Sequence, residues 1–356
     1  MRKVQYPRFF LRALAIPVLA CLSYPVSGFT QTLGGARPEV PRAAHFDVLL
    51  RGGRVLDGSG NAWVRSDVGI NADRIAAVGD LRGATASTII EARDLYVAPG
   101  FIDTHSHAGE ALQRAELRDA RPLLAQGITT VFVNPDGGGP ADLAAQRRAL
   151  SASGAGVNVA LMVPHGSVRH AVMGMADRAP TPAELRRMED LVEQGMSGGA
   201  FALSSGPFYA PGSFAKVDEL VALARVAARY GAPYQSHIRD ESDYSIGLLA
   251  AVEEVVTVAR DAGTRGVVTH VKALGPNVWG FSAAIVERVE RARAQGVEVF
   301  ADQYPYEASQ TSLSAALLPR WAQADGDDSL RARMANPASR ARIIASMREN
   351  LARRGG

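Results

Sequence analysis

Cysteine is almost absent from this sequence, which has 356 residues and a single cysteine, Cys21. One cysteine excludes an intrachain disulfide framework, and its position near the start of the chain argues against a cysteine nucleophile.

Long apolar segments are also missing. The one near the N-terminus is interrupted by Arg12, Pro17 and Pro25 and is too short for a bilayer core of about 30 Å. The sequence predicts no stable membrane span.

A surplus of basic residues is missing from most of the chain. Residues 1–28 contain four of the 39 Lys and Arg residues and none of the 36 Asp and Glu residues, so the remainder has 35 basic and 36 acidic residues. Proteins that bind nucleic acid neutralise phosphates with clustered cations. This balance excludes nucleic acid as a partner.

Residues 1–28 have the pattern of an export signal, with basic residues first and a short apolar stretch after them. Cys21 follows Val18-Leu19-Ala20, which resembles a bacterial lipoprotein cleavage box except that Leu19 is bulky. Cleavage before Cys21 would provide a lipid anchor, and cleavage after Gly28 is the plainer alternative. We expect an exported protein that is periplasmic or secreted.

The rest of the chain is divided by composition. Residues 29–45 are rich in Gly, Pro and small residues and are typical of a linker. Residues 46–97 contain short β-type runs separated by turn residues, which predicts part of a small β-domain. From residue 98 to 356, apolar runs of strand length alternate with helical patterns, which predicts βα units around a parallel sheet.

We predict seven parallel strands in this second part, one fewer than a closed (β/α)8 barrel requires. The chain ends within a predicted helical stretch, residues 338–354. The predicted strands are residues 99–104, 128–134, 158–164, 200–204, 234–237, 267–270 and 297–302.

Metal-ligating residue types fall at the carboxyl ends of four of these strands. A single histidine is commonly a core or surface residue, and we interpret His45 and His170, in the linker edge and a loop, in that way. Five ligand-type residues at strand ends indicate a shared site, because these ends open onto one face of a barrel. Imidazole and carboxylate groups converging there can hold one or two divalent ions. The predicted ligands are His105, His107, Asp136, His237 and His270.

The same residues lie in segments that resemble the amidohydrolase superfamily, and within it the N-acyl-D-amino-acid deacylase (D-aminoacylase) branch. The resemblance covers about residue 46 to the last residue. The segment Pro99-Gly100-Phe101-Ile102-Asp103-Thr104-His105-Ser106-His107 marks the superfamily. The other matching segments are Leu56-Asp57-Gly58-Ser59-Gly60, Gly127-Ile128-Thr129-Thr130-Val131, Gly199-Ala200-Phe201-Ala202-Leu203-Ser204-Ser205-Gly206, Ser236-His237-Ile238-Arg239-Asp240-Glu241, His270-Val271-Lys272 and Asp302-Gln303-Tyr304-Pro305-Tyr306.

The resemblance implies a TIM-type metal-dependent hydrolase barrel with a small flanking β-sandwich formed from both ends of the chain. It also implies zinc as the cofactor. A tightly held zinc would bind Asp136, His237 and His270, and His105 and His107 would form a second, weaker position. The better-known D-aminoacylases have cysteine where this chain has Asp136, so metal preference differs in the two cases.

Two residue types are missing from the positions where relatives have them. Many other amidohydrolases bridge two metals with a carboxylated lysine after the fourth strand, where this chain has Phe201-Ala202-Leu203-Ser204-Ser205. In relatives the general base is an aspartate after the eighth strand, which we expect beyond the end of this chain. No catalytic residue is therefore assigned, and Asp302, after the seventh strand, is interpreted as structural.

An N-acyl amino acid presents a free carboxylate, which requires a cation and hydroxyl donors. Arg239 is interpreted either as a further pocket residue or as an ion-pair partner of Asp240 or Glu241. The candidate substrate-binding residues are Lys272, Tyr209, Tyr304, Ser309 and His165.

The expected function is hydrolysis of a linear amide in a small molecule, either an N-acyl-D-amino acid or a dipeptide with a C-terminal D-residue. D selectivity follows from the resemblance alone. One alternative is an inactive fragment or metal-binding pseudoenzyme, since an incomplete barrel has open edges. Another alternative is a cyclic amidase related to dihydroorotases or hydantoinases.

Overall fold

The computed structural model describes residues 44–355. The predicted export signal, including Cys21, and nearly all of the predicted linker lie outside the described residues, so both stay predictions. The chain divides into two compact units between Ala98 and Pro99. No helix in the described part of the chain has the length and hydropathy needed to span a membrane.

The first unit contains a five-stranded sheet with the order β3-β2-β1-β4 and with β5 paired to β1. Strands β1, β2 and β3 are antiparallel neighbours, whereas β4 and β5 run parallel to β1. Phe46, Leu49 and Leu81 form the buried core of this unit. The strands are β1 (His45–Val55), β2 (Val64–Asn71), β3 (Arg74–Gly79), β4 (Thr85–Glu91) and β5 (Tyr96–Val97).

The buried carboxylate of Asp67 connects two segments of this sheet by hydrogen bonds. Asp67 accepts hydrogen bonds from the backbone N–H groups of Gly52, at 2.6 Å, and Leu81, at 2.9 Å. Gly52 has a positive φ of 68° at a register shift in β1, a conformation that glycine adopts at little cost. The predicted small β-domain is present, and Asp67 stabilises the irregular pairing of β1 with β2.

The second unit contains seven parallel strands in sequential order from β6 to β12. The predicted strand count is confirmed, and every predicted strand overlaps an observed one. Within residues 44–355, β6 and β12 do not pair with each other. The strands are β6 (Phe101–Asp103), β7 (Ile128–Val133), β8 (Asn158–Pro164), β9 (Ala202–Ser205), β10 (Tyr234–Ser236), β11 (Gly266–Val268) and β12 (Val299–Ala301).

One hydrogen bond demonstrates that this sheet is curled. The side-chain amide of Gln235 in β10 donates to the backbone oxygen of Thr104, just after β6, at 3.0 Å. In a flat sheet these strands would be four spacings, or about 19 Å, apart, since neighbouring strands lie about 4.8 Å apart. The hydrogen bond crosses the inside of the curl, so the sheet forms most of a barrel.

Helices cover the outside of the curled sheet, as the alternating pattern predicted. Helix α4 illustrates the local signals: Thr181 caps it, Glu184 completes the capping box and Pro182 occupies its first turn. The helices are α1 (Arg121–Leu124), α2 (Leu143–Ser153), α3 (His165–Met173), α4 (Pro182–Ser197), α5 (Val217–Ala228), α6 (Leu248–Ala262), α7 (Ser282–Ala294), α8 (Leu313–Leu317), α9 (Arg320–Gln323), α10 (Gly326–Ala335) and α11 (Pro337–Arg353).

Candidate metal centre

The predicted ligands all follow strand ends and meet on one face of the barrel. The carboxylate of Asp136 lies at the centre of this group. Its Oδ1 atom is 3.3 Å from Nε2 of His105, 3.5 Å from Nε2 of His270 and 3.8 Å from Nδ1 of His237. Its Oδ2 atom is 3.2 Å from Nε2 of His107. One carboxylate therefore contacts four imidazoles.

The five side chains form two groups that could each hold a metal ion, and Asp136 belongs to both. One group is His105, His107 and Asp136; the other is Asp136, His237 and His270. The second group is the one that the resemblance assigned to a tightly held zinc. It is also the more enclosed group, because His237 and His270 are buried whereas the side chain of His107 is 72% exposed.

The buried polar atoms of the centre are suited to binding a cation. Both ring nitrogens of His105 and of His237 are buried without a hydrogen-bond partner, and so is Oδ1 of Asp136. Leaving such groups unpaired is costly, whereas neutral imidazole nitrogen and carboxylate oxygen are good zinc ligands. The donor set matches one or two divalent ions.

The electrostatics of the centre depend on Asp136. Burial alone would raise its pKa, but the adjacent imidazoles of His105, His107 and His270 outweigh burial and hold the pKa well below its usual range. Burial lowers the pKa of His105, yet the adjacent carboxylates of Asp136 and Asp302 outweigh that effect and raise the pKa to about 9.

His237 behaves in the opposite way. Burial lowers its pKa to about 4, and the nearby charge of Glu241 does not compensate. Burial would raise the pKa of Glu241, but Lys272, His270 and the positive charge that His237 carries in acid outweigh burial and lower it to about 2. At neutral pH the centre therefore contains a neutral His237 and two carboxylates.

The backbone around the ligands adopts uncommon conformations. Asn134, Asp136 and His270 have φ values of 68°, 58° and 37°. Positive φ is uncommon for residues other than glycine and persists only where the surroundings enforce it. Ser204 of β9 holds the loop after β7 in this conformation. Its hydroxyl donates to the backbone oxygen of Asn134 at 2.5 Å and accepts the backbone N–H of Gly137 at 3.3 Å.

Glycines allow two neighbouring segments to approach the loop that carries Asp136. A Cβ atom on Gly206 would lie 2.1 Å from the backbone oxygen of Asp136, and one on Gly166 would lie 2.7 Å from the Gly137 oxygen. Any side chain at Gly206 would displace the loop that presents the carboxylate. The start of α3 and the loop after β9 thus position the loop that follows β7.

The predicted substrate-binding residues are only partly brought together. Tyr209, Tyr304, Ser309 and Lys272 line a cavity of about 1270 Å³ together with the metal-centre residues. Burial raises the pKa of Tyr209 to about 12, so its hydroxyl remains protonated.

His165 does not line this cavity, and its assignment as a pocket residue is wrong. Its side chain is fully buried at the start of α3, where Nε2 is 2.9 Å from Oε1 of Glu219. Arg169 bonds to the other oxygen of the same carboxylate. His165 directly follows a strand, but its ring points into the helix layer, so its role is packing.

Three further interpretations need correction. Arg239 pairs with Glu254, at 2.7 Å, and with neither Asp240 nor Glu241. His170 lies in helix α3 instead of a loop. Lys272 lines the cavity, but its Nζ lies 2.5 Å from Oε1 of Glu241, so the cation is already paired.

Asp302 has the structural contact that was expected of it. Its Oδ1 accepts the backbone N–H of His270 at 2.5 Å. Its Oδ2 is buried without a hydrogen-bond partner and lies 3.8 Å from Nδ1 of His105. Asp302 therefore stabilises the strained backbone of one ligand and faces the ring of another.

Sequence reasoning missed Glu241. Its Oε1 atom lies 3.2 Å from Nδ1 of His270 and 3.8 Å from Nε2 of His237. The available signal is its spacing of four residues after His237.

A curled parallel sheet with imidazoles and a carboxylate at its carboxyl edge is the arrangement of a metal-binding barrel. Residues 96–317 match the model of the amidohydrolase family, and the chain belongs to this family.

Within that family, the chain resembles deacylases. It is 38% identical over 293 residues to a D-aminoacylase of Alcaligenes xylosoxydans xylosoxydans, covering 75% of this chain and 59% of the relative. It also resembles the crystal structure of an N-acyl-D-glutamate deacylase from Bordetella bronchiseptica, complexed with zinc and a phosphonate inhibitor. That match has a TM-score of 0.70 at 38% identity and covers 77% of this chain and 62% of the other. The chain thus spans about three-fifths of these relatives.

Hydantoinases are more distant. A D-hydantoinase structure matches with a TM-score of 0.51 at 17% identity, which shows the fold alone. The absence of lysine at residues 201–205 agrees with this distance.

Substituting Gly206 by alanine should weaken divalent-metal binding, because the new Cβ would push the Asp136 backbone away. We expect zinc affinity to fall by about tenfold or more, in the range seen when support for metal ligands is lost. Gly138→Ala is the matched control, since the nearest atom to its Cβ would be 3.8 Å away. Chelator-competition titration measures both. Equal affinity in the two variants would contradict this account of Asp136 positioning.

Zinc binding should also depend on pH through His105. Its raised pKa of about 9 means that a proton must leave before the ring can ligate a metal. The His105–His107 position should therefore gain about tenfold in affinity per pH unit between 6.5 and 9. In the metal-free chain, folding stability changes with pH in the opposite direction. The contribution of His105 to the free energy of unfolding is complete below about pH 6.5 and is lost as pH rises through 9.

Chelator-buffered zinc titrations and urea denaturation of the metal-free chain at pH 6.5 and 9 test both statements. A His105→Gln variant should lose the part of both dependences that His105 contributes and retain the part from His270, whose pKa the nearby carboxylates of Asp136 and Glu241 also raise against burial. Zinc affinity that is independent of pH would contradict the role of His105 as a ligand that must lose a proton before it binds zinc.

Proposed function

We propose that this chain belongs to a zinc-dependent hydrolase that cleaves the linear amide bond of N-acyl-D-amino acids, or of dipeptides with a C-terminal D-residue. The products are a carboxylate and a D-amino acid. The central observation is the carboxylate of Asp136 within 3.8 Å of four imidazoles on the open face of the barrel. The similarity to deacylases of D-amino-acid derivatives supports the substrate class.

The metal-binding residues would be Asp136, His237 and His270 for one zinc ion and His105, His107 and Asp136 for a second. Zinc bound there supplies Lewis acidity to the scissile carbonyl and to the attacking water. Asp136 keeps its negative charge throughout the neutral range, because its pKa is held far below its usual value.

The remaining residues bind and orient the substrate. Tyr209 stays protonated at neutral pH and presents a hydroxyl donor to an oxygen of the substrate. Tyr304 and Ser309 line the same cavity and offer further donors for the free carboxylate. The reaction also needs a general base that takes the water proton and passes it to the leaving amine.

Two cavities support a linear substrate. The cavity of about 1270 Å³ contains Lys272 and Tyr304, and a second cavity of about 940 Å³ contains Glu110 and Gln113. His107, Asp136 and Tyr209 border both. An amide bond placed at Asp136 can therefore extend in two directions, with the acyl group on one side and the amino acid on the other.

The test is hydrolysis of paired N-acetyl-D- and N-acetyl-L-amino acids by zinc-loaded protein, with hydantoin and dihydroorotate as cyclic controls. We expect release from the D-compounds alone and loss of activity on chelation. Absence of hydrolysis despite bound zinc would favour a pseudoenzyme, and turnover of the cyclic compounds would favour a cyclic amidase.

We also propose that residues 1–28 export the protein, because basic residues precede a short apolar stretch there. A bacterial envelope contains peptides with D-residues, which suits the proposed substrate. Expression in a bacterial host should yield a shortened N-terminus in the envelope fraction, measured by mass spectrometry. Cys21→Ser distinguishes lipid attachment from cleavage after Gly28. An intact N-terminus confined to the cytosol would contradict export.

A further inference from the structure

Glu241 lies behind the two buried histidines of the metal centre. Its Oε1 atom is 3.2 Å from Nδ1 of His270 and 3.8 Å from Nε2 of His237. The opposite nitrogens of the same rings, Nε2 of His270 and Nδ1 of His237, face Oδ1 of Asp136. Each imidazole is therefore placed between two carboxylates, with one nitrogen towards each.

The segment that carries Glu241 is held rigidly from both sides. The preceding residue, Asp240, accepts four backbone N–H groups from the turn that follows, those of Ser242, Tyr244, Ser245 and Gly247. The backbone oxygen of Glu241 accepts the N–H of Leu274 at 2.8 Å. Since its backbone is fixed and its side chain is buried, the carboxylate has little freedom to leave the histidines.

We propose that Glu241 is a positioning residue that holds His237 and His270 in the orientation that zinc requires. Nδ1 of His270 and Nε2 of His237 face Glu241, so the nitrogen on the Asp136 side of each ring is the one that would ligate zinc. A neutral imidazole has one N–H and one lone pair, so with zinc on the Asp136 side the remaining N–H would lie beside the Glu241 carboxylate. Histidines bound to metals commonly donate their second nitrogen to such a carboxylate.

Lys272 has a separate part in this arrangement. Its Nζ lies 2.5 Å from the Oε1 atom of Glu241 and 2.8 Å from Nδ1 of His270. The ammonium group compensates the buried negative charge of Glu241, but it is itself a cation near the proposed zinc position. Glu241 and Lys272 should therefore have opposite effects on zinc affinity.

A double-mutant cycle separates these effects. Glu241→Gln removes the charge, and we expect zinc affinity to fall by about tenfold to 100-fold. Lys272→Met removes a cation near the zinc position, so affinity should be unchanged or higher. The double variant leaves no unpaired lysine, and it should bind zinc at least about tenfold more weakly than Lys272→Met alone. Chelator competition measures the affinities, and the visible spectrum of the cobalt-substituted protein reports the ligand geometry.

Glu254→Gln is the matched control, because Glu254 is a buried carboxylate paired with Arg239 in the same unit. It should lower thermal stability without changing zinc affinity or the cobalt spectrum. The proposal is overturned if the double variant and Lys272→Met bind zinc equally well. It is also overturned if Glu254→Gln weakens zinc binding as much as Glu241→Gln does. The inference rests on the proposed zinc centre, but its readout is affinity, so it stands or falls separately from the hydrolysis assay.

Discussion

A buried carboxylate surrounded by four imidazoles is the constraint on which the rest of the metal centre depends. Asp136 cannot remain charged in this environment without cations or donors on every side, since an unpaired buried charge is costly. The histidines at the ends of β6, β10 and β11 meet this need, and in doing so they converge on the points where metal ions would bind. The same contacts therefore stabilise the buried Asp136 and bring the metal ligands together.

The curled sheet makes this convergence available, because parallel strands deliver their carboxyl ends to one face. The hydrogen bond between Gln235 and Thr104 fixes the curl from inside, next to His105. Ser204 and Gly206 then set the distance between the loop after β7 and the strands beside it. Backbone contacts, more than side-chain packing, determine where Asp136 lies.

Much of this was predictable from the sequence, for physical reasons. Apolar runs of strand length identify parallel strands because both sheet faces are buried, and a ligand placed directly after such a run must lie near the carboxyl edge. The same rule failed for His165, because it cannot tell which way a side chain turns once a helix begins. It also missed Glu241, whose position depends on a turn held by Asp240. Pairings such as Arg239 with Glu254 depend on tertiary neighbours that a linear pattern does not contain.

The left-handed backbone at Asp136 restricts how this family position can vary. Asp and Asn are among the few residues, other than glycine, that adopt positive φ with little penalty. The present loop therefore suits an aspartate ligand both chemically and conformationally. A thiolate ligand at position 136 would have to tolerate a strained φ of 58°, or the loop would have to be rebuilt around it. Ligand type and loop shape at this position are thus coupled, and replacing the aspartate without reshaping the loop would weaken the hold on the metal ligand.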